Sequence, residues 1–355
     1  MRKIYNRKDF VKMTDCYICN MQNPLISILT PFKNTQKFLS ECLDSILDQS
    51  YDNWELVLVD DRSSDSSYEL VETYAKKDSR IRLYKNPGSG IIEALRFAFS
   101  KSKGFYITRM DSDDIMHPEK LEHMLNDLLE HGRQHVALGL VKYFSNEGIS
   151  DGYSRYETWL NGLTKQGANY SEIYKECAIP SPCWMVHRED LMACDAFNPS
   201  RYPEDYDLTF RFYKQGLKCI PSRHLLHYWR DYQTRTSKTH EHYAQNYFLG
   251  IKLHYFLELD YDNSLTLTVW GAGTKGKTIA KLLSEKGVPF VWICDNPKKV
   301  GKHIYGHELF NFDHLKHLQR PQSIVTVANE DAQNDIRAYF KLQKMKPMID
   351  YFFFC

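Results

Sequence analysis

Three aspartates stand close together in Asp111-Ser-Asp113-Asp114, just beyond the run Phe105-Tyr-Ile-Thr108 and the pair Arg109-Met110. Carboxylates this close repel one another, and a divalent cation such as Mg²⁺ or Mn²⁺, which prefers hard oxygen ligands, relieves that repulsion. A second acidic pair, Asp60-Asp61, ends the run Leu56-Val-Leu-Val. A third run, Leu25-Ile-Ser-Ile-Leu-Thr30, closes at Pro31 and the aromatic Phe32. An aromatic ring for stacking, a carboxylate for a base edge and an acidic cluster for a metal together suit a nucleoside diphosphate. No glycine-rich phosphate loop occurs in this half of the chain, so the metal has to carry the diphosphate charge. Each piece also has a plainer reading. Asp113 or Asp114 can sit near a helix start, Asp61 can end a strand or cap the next helix, and Phe32 can belong to the core.

These groups need elements that bring them together. Apolar positions Phe38, Leu39, Cys42, Leu43, Ile46 and Leu47 repeat at helical spacing between the first two runs. Leu70, Val71, Tyr74 and Ala75 do the same after Asp61-Arg-Ser-Ser-Asp65, and Ile81–Tyr84 reads as a third strand. Asn86-Pro-Gly88-Ser-Gly90 punctuates the chain before a helix carrying Ile91, Ala94, Leu95, Ala98 and Phe99. Strands alternating with helices of about ten residues predict a doubly wound, mainly parallel sheet, whose strands present ligand sites at their carboxyl ends. Farther on, residues 136–144 and 224–230 read as strands, Glu204–Lys214 as a helix opened by Pro203, and 240–259 as a helical pattern.

Composition sets the class. Apolar residues at 43% and charged residues at 26% are ordinary for a soluble globular protein, and 355 residues allow two domains. A formal net charge of +1 gives no basis for nucleic-acid binding. No apolar run approaches the ~20 residues of a membrane span. The basic start of the chain has no apolar stretch behind it, so residues 1–23 are expected to be a polar leader rather than a signal peptide. Nine scattered cysteines fit a reducing cytosol, and Cys16-x-x-Cys19, with no second pair in register, reads as two thiols rather than a zinc site.

Residues 25 to about 235 resemble a family 2 glycosyltransferase of the GT-A fold. The matching pieces, in order, are Ser27-Ile-Leu-Thr-Pro-Phe-Lys-Asn34, Ser45-Ile-Leu-Asp-Gln-Ser50, Trp54-Glu-Leu-Val-Leu-Val-Asp-Asp-Arg-Ser-Ser-Asp65, Gly104-Phe-Tyr-Ile-Thr-Arg-Met-Asp-Ser-Asp-Asp114 and Glu204-Asp-Tyr-Asp-Leu208. The resemblance implies inverting transfer of a sugar from a nucleotide-sugar donor, a UDP-sugar by preference, to an acceptor hydroxyl on a glycan, lipid-linked or protein acceptor. It places Thr30, Pro31 and Phe32 at the nucleobase, with Phe32 stacking, and Asp61 on a ring nitrogen. Asp111 and Asp113 match the D-x-D motif: Asp113 on the Mn²⁺ or Mg²⁺, Asp111 on the ribose or the metal. Asp205 matches the carboxylate that deprotonates the acceptor, with Glu204 and Asp207 as alternatives in register. Phe32 is often Tyr in this family. His227, Arg230 and Arg235 follow the base helix, where one of them could reach the diphosphate. The family setting is cytoplasmic, with room for peripheral association at the inner face of the membrane and for a homo-oligomer.

From Leu265 the strand–helix pattern restarts. Gly271-x-Gly273-x-x-Gly276 lies between a strand and a helix, Asp295 follows the next strand, and residues 324–328 read as another. That is the setting a dinucleotide fingerprint requires. Residues 264–355 are therefore expected to form a smaller Rossmann-like α/β domain, after a transferase domain over 24–260. It binds NAD(P) or another nucleotide, or serves as a docking platform. Two other classes remain open: an NAD(P)-dependent sugar-modifying oxidoreductase, and a nucleotide-sugar binding protein without turnover.

Overall fold

The computed structural model describes residues 23–235, 238 and 248–355. The expected polar leader, with Cys16 and Cys19, and the first part of the 240–259 pattern lie outside them. The chain divides into two compact units, and their limits are not those expected. One holds residues up to 167, 179–200 and 211–232; the other holds 168–178, 201–210 and 233–355.

In the first unit the apolar runs become strands whose side chains are largely covered, with Phe105, the first residue of its run, left exposed. β1 (Ile26–Phe32) and β2 (Trp54–Asp60) are buried at all positions. Between them runs α1 (Gln36–Leu47), burying Leu39, Cys42, Leu43 and Ile46 on one face. α2 (Ser67–Ala75), β3 (Ile81–Lys85), α3 (Ile91–Lys101) and β4 (Tyr106–Arg109) complete the alternation. The chain then continues through β5 (Ile115–Met116), α4 (Lys120–His131), β6 (His135–Leu138), β7 (Leu140–Phe144), α5 (Asp151–Thr164), β8 (Trp184–His187), α6 (Arg188–Ala193), α7 (Glu204–Lys214), β9 (Lys218–Cys219) and β10 (Leu225–Arg230). The main sheet has the order β3-β2-β1-β4-β8-β6-β9. It is parallel from β3 to β4 and antiparallel only where β8 lies between β4 and β6. A second, three-stranded sheet has the order β5-β10-β7.

Two strand boundaries differ from expectation. Pro31 does not close β1; it lies within it, opposite Val59 of β2. The pairing of β1 with β4 ends at Leu29 and Arg109, so the residue without an N–H falls where β1 has a neighbour on one side only. The single strand expected over 136–144 is two strands in different sheets, the chain changing sheet at Gly139.

In the second unit β11 (Thr266–Trp270), α9 (Thr274–Glu285), β12 (Val291–Ile293), β13 (His303–Ile304), β14 (His307–Phe310), β15 (Pro321–Val325), α10 (Glu330–Leu342) and β16 (Tyr351–Phe353) follow α8 (Phe248–Leu259). The sheet order is β13-β14-β12-β11-β15-β16, parallel except for β13 against β14. β15 begins and ends three residues earlier than the sequence suggests. Aromatic packing explains why segments 168–178 and 201–210 join this unit: Tyr174 stacks on Phe354 at 5.3 Å and Phe210 on Tyr255 at 4.5 Å. No helix among the described residues is long and apolar enough to cross a membrane.

Candidate active site

The carboxyl ends of β2, β1 and β4 lie side by side in the sheet, so Asp61, Thr30–Phe32 and the Asp111–Asp114 turn share one edge. The three aspartates of that turn are held in three different ways. Asp111 is half-buried and accepts from Arg109 Nε at 2.8 Å. Asp113 is half-buried too; its Oδ2 accepts from Tyr232 Oη at 2.8 Å, and its main-chain oxygen from Arg230 Nε at 2.7 Å. Asp114 is wholly buried. Its Oδ1 accepts from the Arg230 amide at 2.8 Å, and its Oδ2 lies 3.0 Å from His227 Nε2.

Behind His227 is a buried lysine. Lys120 Nζ donates to the carbonyl of Pro182 at 2.5 Å and stands 3.5 Å from His227 Nδ1. Burial pushes its ammonium below the ordinary lysine value, while Cys183, Asp114 and Asp111 pull it back up. The result is a line Lys120–His227–Asp114 under the acidic turn. The thiol of Cys42 reports the field of that turn: burial raises its pKa most, and Asp114, Asp113 and Asp111 then raise it further.

Asp61 does not cap the helix that follows it. Asp65 accepts from the amide of Ser67 at 3.0 Å, at the start of that helix, and from the amide of Gln36 at 3.2 Å, at the start of α1. Asp61 turns instead toward the Asn86–Gly90 loop, its Oδ1 accepting from Asn86 Nδ2 at 2.7 Å and the Gly90 amide at 2.9 Å. Gly90 has φ of 89°, a left-handed conformation that glycine adopts without strain. The other oxygen lies 3.8 Å from Lys33 Nζ, an exposed side chain. Thr30 is wholly buried, and its Oγ1 has no hydrogen-bond partner. Phe32 is 3% exposed and belongs to the apolar core. The stacking role expected of its ring therefore competes with a packing role that the ring already fills.

Asp205 lies in the first turn of α7, a helix whose residues up to 210 belong to the second unit and the rest to the first. It is half-buried, and its Oδ1 accepts from the Tyr206 amide at 2.8 Å. Of the alternatives in register, Asp207 is 1% exposed and accepts from Tyr255 Oη at 2.7 Å and Arg201 Nη1 at 3.0 Å, which marks it as a structural anchor. Glu204 is also buried. Of the basic residues after this helix, His227 is fully enclosed. Arg230 is engaged by Asp113, by Glu41 and by the Phe38 ring.

Gly271, Gly273, Gly276 and Asp295 do come together. They belong to the turn between β11 and α9 and to the loop after β12; Gly271, Gly273 and Asp295 line a cavity of about 540 Å³, and Gly276, buried, packs against the Gly271 backbone. Asp295 accepts from Trp270 Nε1 at 2.8 Å.

Among the described residues no three His, Cys, Asp or Glu side chains converge as a metal cage. The donor set nevertheless fits Mg²⁺ or Mn²⁺ of the kind that takes one or two protein carboxylates and completes its shell from phosphates and water. Asp111 and Asp113 supply hard oxygens two residues apart, both only half-buried at the end of β4. The partners Tyr232, His227, Lys120 and Asn86 carry no motif of their own. The turn signal at Asn86-Pro-Gly-Ser-Gly90 marks one of them, and His227, expected as a candidate for the diphosphate, instead faces Asp114.

The model of the family described as glycosyl transferase family 2 matches residues 27–194. Glycosyltransferase GlyG of Streptococcus pneumoniae is 38% identical over 206 residues, covering 55% of this chain and 67% of that protein. Glycosyltransferase GlyA of the same organism is 32% identical over 201 residues, 55% of this chain and 29% of its own length. The chain spans less than half the length of several other curated relatives. Among solved structures, S. aureus TarS 1–349 in complex with UDP-GlcNAc has a TM-score of 0.52 at 19% identity, covering 73% of this chain and 71% of that one. The likeness is one of fold.

Proposed function

The chain belongs to glycosyl transferase family 2, and from that premise we propose that it moves a sugar, with inversion, from a nucleotide-diphosphate sugar to an acceptor hydroxyl. One observation carries the reading. The ends of β1, β2 and β4 set Asp61, Asp111 and Asp113 along one sheet edge, while Asp114 is withdrawn from solvent to fix the turn.

Asp61 accepts from the base, its second oxygen being turned away from Asn86 and Gly90. Uridine is the base the resemblance favours. Asp113 and Asp111 hold a Mn²⁺ or Mg²⁺, which when bound offsets the charge that develops on the leaving diphosphate. Tyr232 and Arg230 keep Asp113 oriented through its carboxylate and its main-chain oxygen. Thr30, Pro31 and Phe32 form the floor beneath the base. Asp205 takes the proton of the attacking hydroxyl, a role that rests on the sequence resemblance alone. The acceptor belongs to polysaccharide or glycoconjugate assembly, and the protein works in the cytoplasm, at the inner face of the membrane where the acceptor is lipid-linked.

The test mixes the protein with a panel of UDP- and GDP-sugars, Mn²⁺ and candidate acceptors, and measures released nucleoside diphosphate. Release that stops in EDTA is expected. A change in nicotinamide absorbance without nucleotide release would replace the transferase with an oxidoreductase. Saturable donor binding without turnover on any acceptor would leave a binding protein.

A further inference from the structure

The cavity in the second unit lies at the carboxyl ends of three parallel strands. β12 pairs with one side of β11 and β15 with the other. The chain thus winds outward from β11 in one direction and then in the opposite one. Such a reversal opens a crevice at the strand ends, the usual ligand position in a doubly wound sheet. Here the crevice has a volume of about 540 Å³, enough for a nucleotide-sized molecule. It is walled by the turns after β11, β12 and β15.

The turn after β11 has an excess of donors. The carbonyl of Trp270 accepts from the Thr326 amide at 2.8 Å and that of Gly271 from Trp292 Nε1 at 2.8 Å. Ala272 accepts from Lys299 Nζ at 2.7 Å and Gly273 from the Lys277 amide at 2.9 Å. Every carbonyl from 270 to 273 is therefore satisfied by the protein. The amides of the first turn of α9, a twelve-residue helix, receive no side-chain cap and have no partner within the helix. What this wall offers to a ligand is N–H groups at the positive end of a helix, flanked by Lys275 and Lys299, and that combination binds an anion such as a diphosphate.

The three glycines separate fold from ligand. Gly271 has φ of 122°, and a Cβ on Gly276 would lie 2.0 Å from the Gly271 oxygen, so the turn itself demands both. Gly273 is different. Its φ of −79° suits any residue, and a Cβ there would meet nothing within 4 Å. Neither the backbone nor a neighbouring atom requires glycine at 273. The missing side chain leaves open space over the uncapped helix end, inside the cavity. Across the cavity, Asp295 is open to solvent and has one oxygen committed to Trp270. Val327 and Ala328, apolar residues just past the end of β15, line it as well. A carboxylate facing a phosphate site across an apolar patch suits a ribose diol with an attached base.

We propose that this cavity binds a ribonucleoside diphosphate group, with the diphosphate on the first turn of α9 and the ribose hydroxyls on Asp295, as a nucleotide site separate from the donor cleft. That group occurs in free ADP or UDP, in a dinucleotide such as NAD⁺, and in a nucleotide-sugar.

The full chain is titrated by calorimetry with ADP, UDP, NAD⁺ and UDP-GlcNAc in turn, in EDTA so that metal-dependent binding is suppressed. One of the four is expected to bind saturably below millimolar concentration. Gly273→Leu, which fills the open space, should abolish that binding while the melting curve stays in place. Asp295→Asn, which still accepts from Trp270, should weaken it about fivefold to tenfold. Which probe binds identifies the source of the group. The proposal is overturned if none of the four binds in EDTA, or if Gly273→Leu binds as tightly as the parent. It is also overturned if Asp61→Ala, at the donor cleft, removes the binding that Gly273→Leu retains.

Discussion

The two sheet edges proposed to hold a charged phosphate group are built from opposite materials. The first-unit edge is built from carboxylates, each tied to a side chain: Asp111 to its near neighbour Arg109, and Asp113 to Tyr232, Asp114 to His227 and Asp61 to Asn86, all distant in sequence. The second-unit edge is built from backbone, with its carbonyls satisfied and its amides turned outward. A negative edge accepts a diphosphate only together with a cation, whereas an amide edge accepts it directly. Ionic conditions should therefore separate the two sites, and so should the kind of substitution that damages them. The first is sensitive to loss of one charge, the second to gain of one side chain.

The largest expected effects set two neighbouring aspartates against each other. Asp113→Asn keeps the acceptor for Tyr232 and removes a charge, so transfer should fall about 10³-fold, several kcal/mol of barrier, with an unchanged melting curve. Asp114→Ala removes the partner of a buried histidine and of Lys120 behind it. It should lower stability by about 3–5 kcal/mol, read from denaturant unfolding. Full activity of a folded Asp113→Asn enzyme would show that the carboxylate edge does not hold a cation.

Next is Asp205→Asn, which keeps an acceptor for the Tyr206 amide. Transfer should drop about 10²-fold or more with donor affinity unchanged. If the carboxylate served only the helix dipole, the variant would lose at most about 1 kcal/mol of stability and keep its turnover. Rate and melting curve measured on one sample decide. Asp61→Ala should do smaller damage of two kinds. Nucleotide affinity should weaken, and Asn86 Nδ2 and the Gly90 amide, losing their acceptor, should reduce stability by about 1–3 kcal/mol. Calorimetry that finds the parent affinity would remove Asp61 from the pocket.

The sequence made the two edges unequally legible. The runs over Ile26–Phe32, Trp54–Asp60 and Tyr106–Arg109 are rich in apolar residues because both faces of a central strand are covered, and such runs stand out. The acids at their ends were visible as residue types. Their partners were not: Tyr232 is separated from Asp113 by 119 positions and His227 from Asp114 by 113, and no local pattern records such a pairing. The same limit hid the division of the chain. Tyr174, Tyr206 and Phe210 look like ordinary middle-domain residues until Tyr255, Phe352 and Phe354 are seen packed around them. The glycine turn was legible as a motif. Its apolar wall reads as strand in the sequence, because Val327 and Ala328 continue the hydrophobic pattern of β15 past its end at Val325.

The smallest effect tests how far the carboxylate edge extends. Thr30 lies at the end of β1 with its hydroxyl enclosed and unpaired. A buried polar group without a partner destabilises the fold, and its removal in a side chain of the same shape gives that free energy back. Thr30→Val should therefore raise stability, by an amount on the order of 1 kcal/mol. If the residue is only part of the floor, UDP affinity should stay within about twofold of the parent, less than 0.5 kcal/mol. If a bound base instead opens the floor and uses the hydroxyl, the variant should be more stable and yet bind UDP about tenfold more weakly, since about 1 kcal/mol or somewhat more goes with a lost hydrogen bond. The enclosure of Thr30, and of Phe32 two residues on, favours the first outcome. A tenfold loss would return both residues to the pocket and show that the negative edge reshapes itself around its ligand.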